Sequence, residues 1–304
     1  MRNKLILVYS LLILSMFFWG SSYVWAKVAL EYYNSITIIF FRLAVSVIVL
    51  FLVLLLTKQL KLPEKKHWPL FLLLAFFEPF LYFIGETTGL SYVDPSTASV
   101  IVAVIPLFTP FVAYYFLNEK IRILNVLGIV ISILGICIMV FGKDMSLQIS
   151  GIGLALLFLS VIAGNGYGVM AKKIPEKYSV LNIIFWQNAI GMIYFIPLLG
   201  IFSQKDLFET GFVEAAFWAI VKLGIFASSL AFVFYMYGLR YMPITRANVF
   251  TNSIPIFTML ISYFILGESI GAKKIIGMLI VILGVVVSQL KITKKEKSTI
   301  TIKS

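Results

Sequence analysis

Of 304 residues, 61% are hydrophobic and only 12% are charged, and the mean hydropathy is +1.02. A soluble domain is about half apolar and about a quarter charged, so this composition excludes a water-soluble enzyme or binding module. The formal net charge of +12 does not indicate nucleic acid, because the basic residues sit in short connectors between apolar stretches, as in cytoplasmic loops.

Apolar stretches near the ~20 residues that cross a ~30 Å hydrocarbon core recur from end to end. They predict ten helices, over residues 5–27, 34–56, 69–91, 95–117, 122–141, 149–171, 180–202, 214–240, 244–267 and 271–290. The connectors are short and carry turn formers, as in Leu62-Pro63-Glu64, Val93-Asp94-Pro95 and Met242-Pro243. Helix 1 follows Arg2 and Lys4 as a signal peptide would. It runs on through Trp19 and Trp25 without a small-residue cleavage site, so it is expected to be retained. Trp19 and Tyr23 share one of its faces.

Helix 2 carries Arg42. Helix 3 carries Glu78, Tyr82 and Glu86 at i, i+4 and i+8, which is one face. In helix 4, Pro106 frees the carbonyl of Val102. Helix 5 has Gly128, Gly135 and Gly142 at seven-residue intervals, and helix 10 has Gly277 and Gly284. Such stripes let helices approach closely, either within one chain or between two copies as a homodimer. The single cysteine, Cys137, has no partner for a disulfide and no neighbours for metal or nucleophilic chemistry.

Helix 6 places Asn165 between Gly164 and Gly166. Helix 8 carries Lys222 and Tyr235. Helix 9 puts Asn248, Asn252 and Pro255 on one face, and the proline frees the carbonyl of Thr251. Residues 291–304 are polar and basic, a tail with too little apolar surface to fold.

The sequence repeats itself. Residues 89–135 align without a gap on 238–284 at a constant offset of 149: Gly89-Leu90 on Gly238-Leu239, Ile105-Pro106 on Ile254-Pro255, Phe108-Thr109 on Phe257-Thr258, Gly128 on Gly277, Gly135 on Gly284. A looser match at offset 145 sets Val24, Ala26-Lys27 and Tyr33 on Val169, Ala171-Lys172 and Tyr178. Two units result, residues 1–143 and 149–290, followed by the tail. Each has five helices, an odd number, so the second must enter the membrane from the opposite side. The fold class expected is an all-α integral membrane protein of ten transmembrane helices in two inverted five-helix repeats. With the N-terminus inside, 18 Lys and Arg fall in inner connectors and 5 in outer ones, which places both termini in the cytoplasm.

The stretch Gly89-Leu90-Ser91-Tyr92 through Ala98, Pro106, Leu117-Asn118-Glu119 and Gly128 to Gly135 resembles the second half of an EamA unit, and Gly238 to Gly284 repeats the pattern. Trp19-Gly20-Ser21-Ser22 and Phe41-Arg42-Leu43 resemble that family's first- and second-helix motifs. The resemblance covers nearly the whole chain and is to the drug/metabolite transporter superfamily. It implies a ten-helix carrier of the bacterial cytoplasmic membrane, often an exporter of amino acids or related metabolites, with a central cavity lined by helices 1, 3, 4, 6, 8 and 9. Ser22 stands where that family often has asparagine, and Gln187 replaces the arginine in the second unit.

Ionisable groups within the hydrocarbon cost ~2.5–3.5 kcal/mol each on insertion scales and are functional candidates by default. Arg42 and Lys222 each lie about 12 Å in from the outer end of their helices at ~1.5 Å per residue, at a depth similar to Glu78 and Glu86. Either cation could draw a substrate carboxylate, and either anion could hold an ammonium or a coupling proton. The alternative is structural pairing, Arg42 with Glu86 above all. Trp19, Tyr23, Tyr82, Asn165, Tyr235, Asn248 and Asn252 complete the expected substrate site.

The function expected is secondary transport of small polar metabolites such as amino acids, by alternating access. A nucleotide-sugar or phosphate-ester exchanger and a passive channel or scaffold are the alternatives. An intramembrane enzyme is disfavoured: the only histidine is His67, in a loop, and no catalytic or metal-binding constellation lies in the spans. No phosphate-binding G-x-x-x-x-G-K-[ST] loop is present. The partners expected are a small-molecule substrate and the bilayer, with no cofactor, metal or nucleic acid.

Overall fold

A computed structural model of the chain describes residues 2–117, 123–141, 149–241 and 250–289. The expected site residue Asn248, Gly142 of the first glycine stripe, Met242-Pro243 and the tail lie outside the described residues. Within them the chain is helical: α1 (Arg2–Leu30), α2 (Ser35–Leu56), α3 (Lys65–Leu90), α4 (Pro95–Val102 and Ile105–Leu117), α5 (Ile123–Val140), α6 (Gly151–Lys173), α7 (Val180–Phe202), α8 (Glu214–Tyr241), α9 (Ile254–Leu266) and α10 (Ala272–Gln289). Among the described residues eight helices are long and apolar enough to cross a membrane, and Ile254–Leu266 is a shorter apolar one.

Side chains set the helix starts. Asn34 caps α2 through the Thr37 N–H (3.1 Å), and Asp94 caps α4 through the Thr97 N–H (2.9 Å) with Pro95 in the first turn. Ser150 and Ser179 do the same for α6 and α7. Gly267, at φ 64°, stops α9 in the left-handed conformation that glycine tolerates.

Four of these helices are interrupted, and the interruptions come in repeat-related pairs. In α3, Phe76–Leu81 is a π-helical turn; in α8, Leu223–Ala231 is another, and an offset of 149 carries the first onto the second. The turn at Ala103-Val104 in α4 maps by the same offset onto Asn252-Ser253 at the head of α9. The local causes differ. In α3, Pro79 has no N–H to donate, and Glu78 leaves helical dihedrals (φ −145°, ψ 120°). In α8 there is no proline; instead Ser229 donates to the carbonyl of Gly224 (2.8 Å), and Asn188 and Ser46 donate to that of Ser228.

Contacts between the halves obey the same offsets. Ser15 donates to the Ala231 carbonyl (2.7 Å), and Ser160, 145 residues on, donates to that of Tyr82 (3.2 Å), 149 residues back. Leu12 packs on Gly238 as Leu157 packs on Gly89. The interface of α1 with α8 is thus built like that of α6 with α3.

The glycine stripes face each other. Gly128 lies against Gly284, and Gly135 against Gly277. Seven residues forward on α5 is seven residues back on α10, so these helices run antiparallel. A Cβ at Gly128 would sit 2.4 Å from the Gly284 carbonyl oxygen, closer than van der Waals contact allows. The described glycines of the stripes therefore meet within one chain, the internal of the two arrangements the sequence allowed: small residues there let these two helices touch.

Candidate functional site

Between the two halves lies a buried cavity of about 110 Å³. Its wall is assembled from repeat-related pairs. Trp19 and Gly164, and Ser22 and Tyr167, are related by an offset of 145. Phe83 and Phe232, Glu86 and Tyr235, Val102 and Thr251, and Ile105 and Ile254 are related by 149. All twelve line the cavity. A pocket walled by both members of so many pairs sits where the two units meet.

Its charge is one-sided. Tyr23, Arg42, Glu78, Tyr82 and Glu86 come from α1 to α3, while the second half contributes Tyr167, Phe232, Tyr235, Thr251 and Ile254. One wall is ionic and the other is aromatic and neutral.

Glu86 is 8% exposed and accepts a hydrogen bond from the Tyr82 hydroxyl (3.0 Å), one helical turn earlier; the Tyr23 hydroxyl approaches the same carboxylate. Glu78 is 6% exposed, and no described residue gives its carboxylate a hydrogen bond or an ion pair. The helix break at Glu78 takes it off the face it would share with Tyr82 and Glu86 in a regular helix.

Arg42 is 2% exposed. Its Nε donates to the Ser228 hydroxyl (2.9 Å), and its guanidinium carbon lies 4.0 Å from the centroid of Phe83. Ser228 belongs to a buried network: Asn188 Nδ2 donates to Ser46 Oγ (2.7 Å) and to the Ser228 carbonyl (2.9 Å), and Ser46 bonds Ser229 (2.7 Å). The network satisfies carbonyls that the π-turn of α8 exposes, and it aims the arginine. No Arg42 nitrogen comes within 4.0 Å of a carboxylate oxygen among the described residues, so the direct Arg42–Glu86 pair expected from depth alone is replaced by Ser228 and Phe83.

Trp19, Tyr23, Glu78, Tyr82, Glu86, Tyr235 and Pro106 are on the wall as expected. Four expected residues are placed elsewhere. Lys222 is exposed on α8, one turn from Trp218, which is 52% exposed, and is no partner in the cavity; the buried face of that turn is Ala219, Ile220 and Leu223. Asn165 is buried but structural: its Nδ2 donates to the carbonyls of Val161 (2.9 Å) and Ile105 (3.2 Å), and its Oδ1 accepts from Thr109 (3.1 Å). Asn252 is buried off the wall, with neither amide atom bonded among the described residues; Thr251 lines the cavity in its place. Pro255 is buried beside the break and does not reach the cavity.

Sequence reasoning missed Tyr167, Phe83 and Phe232 as lining residues and the Ser46–Asn188–Ser228 network altogether. The repeat alignment held a signal for Tyr167, the counterpart of Ser22, but none for Phe83 and Phe232, which are counterparts of each other. Among the described residues no three His, Cys, Asp or Glu side chains gather as a metal site would need.

The EamA-like transporter family matches twice, over residues 6–141 and 151–290. An uncharacterized transporter of Archaeoglobus fulgidus is 27% identical, covering 90% of this chain and 95% of that one. The uncharacterized transporters YdfC and YyaM of Bacillus subtilis are 26% and 25% identical, over 93% and 96% of this chain and 91% and 98% of theirs. A crystal structure of a protein 13% identical superposes with a TM-score of 0.68 over 92% of this chain and 96% of that one, a likeness of fold alone. Two matches end to end, a cavity between the matched halves and relatives that align over their whole length lead to one conclusion: the chain belongs to the EamA-like transporter family, a family of membrane transporters.

Proposed function

We propose that this protein is a secondary carrier that exports small polar metabolites, amino acids among them, by alternating access. Two inverted five-helix repeats, residues 1–143 and 149–290, rock about the shared cavity in the cytoplasmic membrane of a bacterium, with both termini in the cytoplasm. The observation that carries the reading is the make-up of the cavity wall from repeat-related pairs. A site walled by both of two inverted units can be opened to either side by exchanging their conformations.

Volume and charge weigh against the nucleotide-sugar alternative. About 110 Å³ is well below the roughly 300–1,000 Å³ of pockets for drug-sized ligands. Among the described residues Arg42 is the one cation on the wall, where a diphosphate calls for several clustered ones. Glu78 supplies a group that can take up a coupling proton. Counterflow in proteoliposomes, against a panel of small amines, amino acids and nucleotide sugars with and without a pH gradient, tests the reading. Exchange of a small metabolite is expected. Exchange of nucleotide sugars alone, or none across the panel, refutes it, and indifference to the gradient removes the proton. A reporter fused to the C-terminus tests orientation, and an external signal would reverse it.

A further inference from the structure

We propose that the cavity selects a small organic monocation, a primary alkylamine in the simplest case, over a zwitterion or an anion of the same size. This narrows the small polar metabolites of the carrier proposed above to amines without a carboxylate, in place of amino acids, and rests on the carrier reading. The surplus charge of the wall carries the argument. Glu86 is bonded by Tyr82, and the nearby positive charge of Arg42 offsets its own. Glu78 remains, 6% exposed and facing the cavity, with no hydrogen bond or ion pair among the described residues. A buried carboxylate without bonded partners is costly to ionise, so the ligand that gains most on entry brings one positive charge and N–H donors to it.

The aromatic lining, Trp19 of α1 with rings of the second half, suits the same ligand. Trp19 lies 5.1 Å from Phe232 and 5.1 Å from Tyr235 between ring centroids, and Tyr167 adjoins Phe232 at 6.3 Å. The π-faces of such rings attract a cation and repel a carboxylate. Arg42 is the one group that could receive a ligand carboxylate. Its Nε donates to Ser228 and its guanidinium lies over the face of Phe83, and a ligand carboxylate drawn to it would compete with Glu86 for the same positive charge, a competition that an amine avoids. An anion would face two carboxylates with one cation to offset them.

Binding of butylamine, butyrate, 4-aminobutyrate and the neutral butanol to the full chain in lipid nanodiscs, measured by calorimetry at neutral pH, tests this. Butylamine is expected to bind at least tenfold more tightly than the other three. Glu78→Gln is expected to lose at least tenfold in butylamine affinity, while Gly168→Ala, which adds a methyl group into open space, binds it normally. Butyrate, 4-aminobutyrate or butanol binding as tightly as butylamine overturns the proposal, as does full butylamine affinity in Glu78→Gln. Should Glu78→Gln fail to fold, Trp19→Leu reads the aromatic wall: it is expected to weaken butylamine more than butanol, and equal weakening overturns the proposal. Butylamine that binds selectively yet shows no counterflow in proteoliposomes would support this selectivity and refute the carrier reading, so the two can fail separately.

Discussion

Ser132 donates a 3.1 Å hydrogen bond to the carbonyl of Val281, the residue 149 positions further along the chain. That interval is the offset relating the two halves of the sequence, so each of these residues is the other's counterpart. A residue touches its own counterpart only close to the axis that relates them, and the crossing of α5 with α10 therefore marks that axis.

The glycines of this crossing should be intolerant of side chains. In Gly284→Val the new atoms would meet Ser132 Oγ at 2.3 Å and the Gly128 carbonyl oxygen at 2.6 Å. Overpacking of this kind costs about 1–3 kcal/mol, expected as a lower unfolding temperature in detergent. Gly168→Ala, with nothing within 4 Å of the added carbon, is the control and should leave the midpoint unchanged or raise it.

Ser228 should matter to transport although it does not line the cavity. Ser228→Ala leaves the buried Nε of Arg42 without its acceptor, a loss of about 1–3 kcal/mol. Transport and thermal stability are both expected to fall, and Ser228→Thr, which keeps the hydroxyl, should retain most of each. Wild-type values for both in the alanine variant would show that the arginine is held by other means.

Asp94, in the connector before α4, ties that helix to the end of α9 and the start of α10. Lys274 stands 3.1 Å from Asp94 and 2.9 Å from Glu268. Burial raises the Asp94 pKa, but the Glu268 side chain, the Thr97 N–H and the charge of Lys274 outweigh it and hold the carboxyl below its ordinary value. A depressed folded pKa contributes stability that is complete above the unfolded value of about 3.9 and is lost as the pH falls through the folded one. Asp94→Asn is therefore expected to melt earlier than wild type at neutral pH, with the gap narrowing as the medium is made acidic. A gap that stays constant down to pH 3 would contradict the assignment.

On the same side of the protein, Asp206 Oδ2 accepts three hydrogen bonds from the head of α2: the Asn34 N–H (2.7 Å), Asn34 Nδ2 (2.6 Å) and Thr37 Oγ1 (2.7 Å). This carboxylate joins the connector after α7 to the start of α2. With Cys137 replaced by serine, Asn34→Cys and Asp206→Cys joined by a short reducible cross-linker should arrest transport until reductant is added. Undiminished flux through the cross-linked protein would mean these ends stay together throughout the cycle.

Much of this was legible in the sequence because it depends on patterns along one chain. Glu78 and Glu86 declared themselves through the cost of charge in hydrocarbon, Tyr82 through its spacing between them, Trp19 and Tyr23 through their shared face of helix 1, and Tyr235 as the repeat counterpart of Glu86. The misplaced residues share a cause. Lys222 and Arg42 lie at comparable depth on apolar helices, and periodicity says only which residues share a face with each. Whether that face meets protein or the outside depends on the helix's rotation about its axis. Neighbours set that rotation: Ala219, Ile220 and Leu223 turn inward on α8, which carries Lys222 out.

The sequence by itself determined the membrane-embedded class, the doubling of the chain, its family pattern and the acidic character of helix 3, since composition, spacing and repetition are properties of the chain alone. Tertiary structure decided that the glycine stripes meet each other, that Arg42 answers to Ser228 and Phe83 rather than to a carboxylate, and that Glu78 is left unmatched. Those outcomes depend on which surfaces come within a few ångströms across helices far apart in sequence, and hydrogen bonds and close packing have no reach beyond that distance.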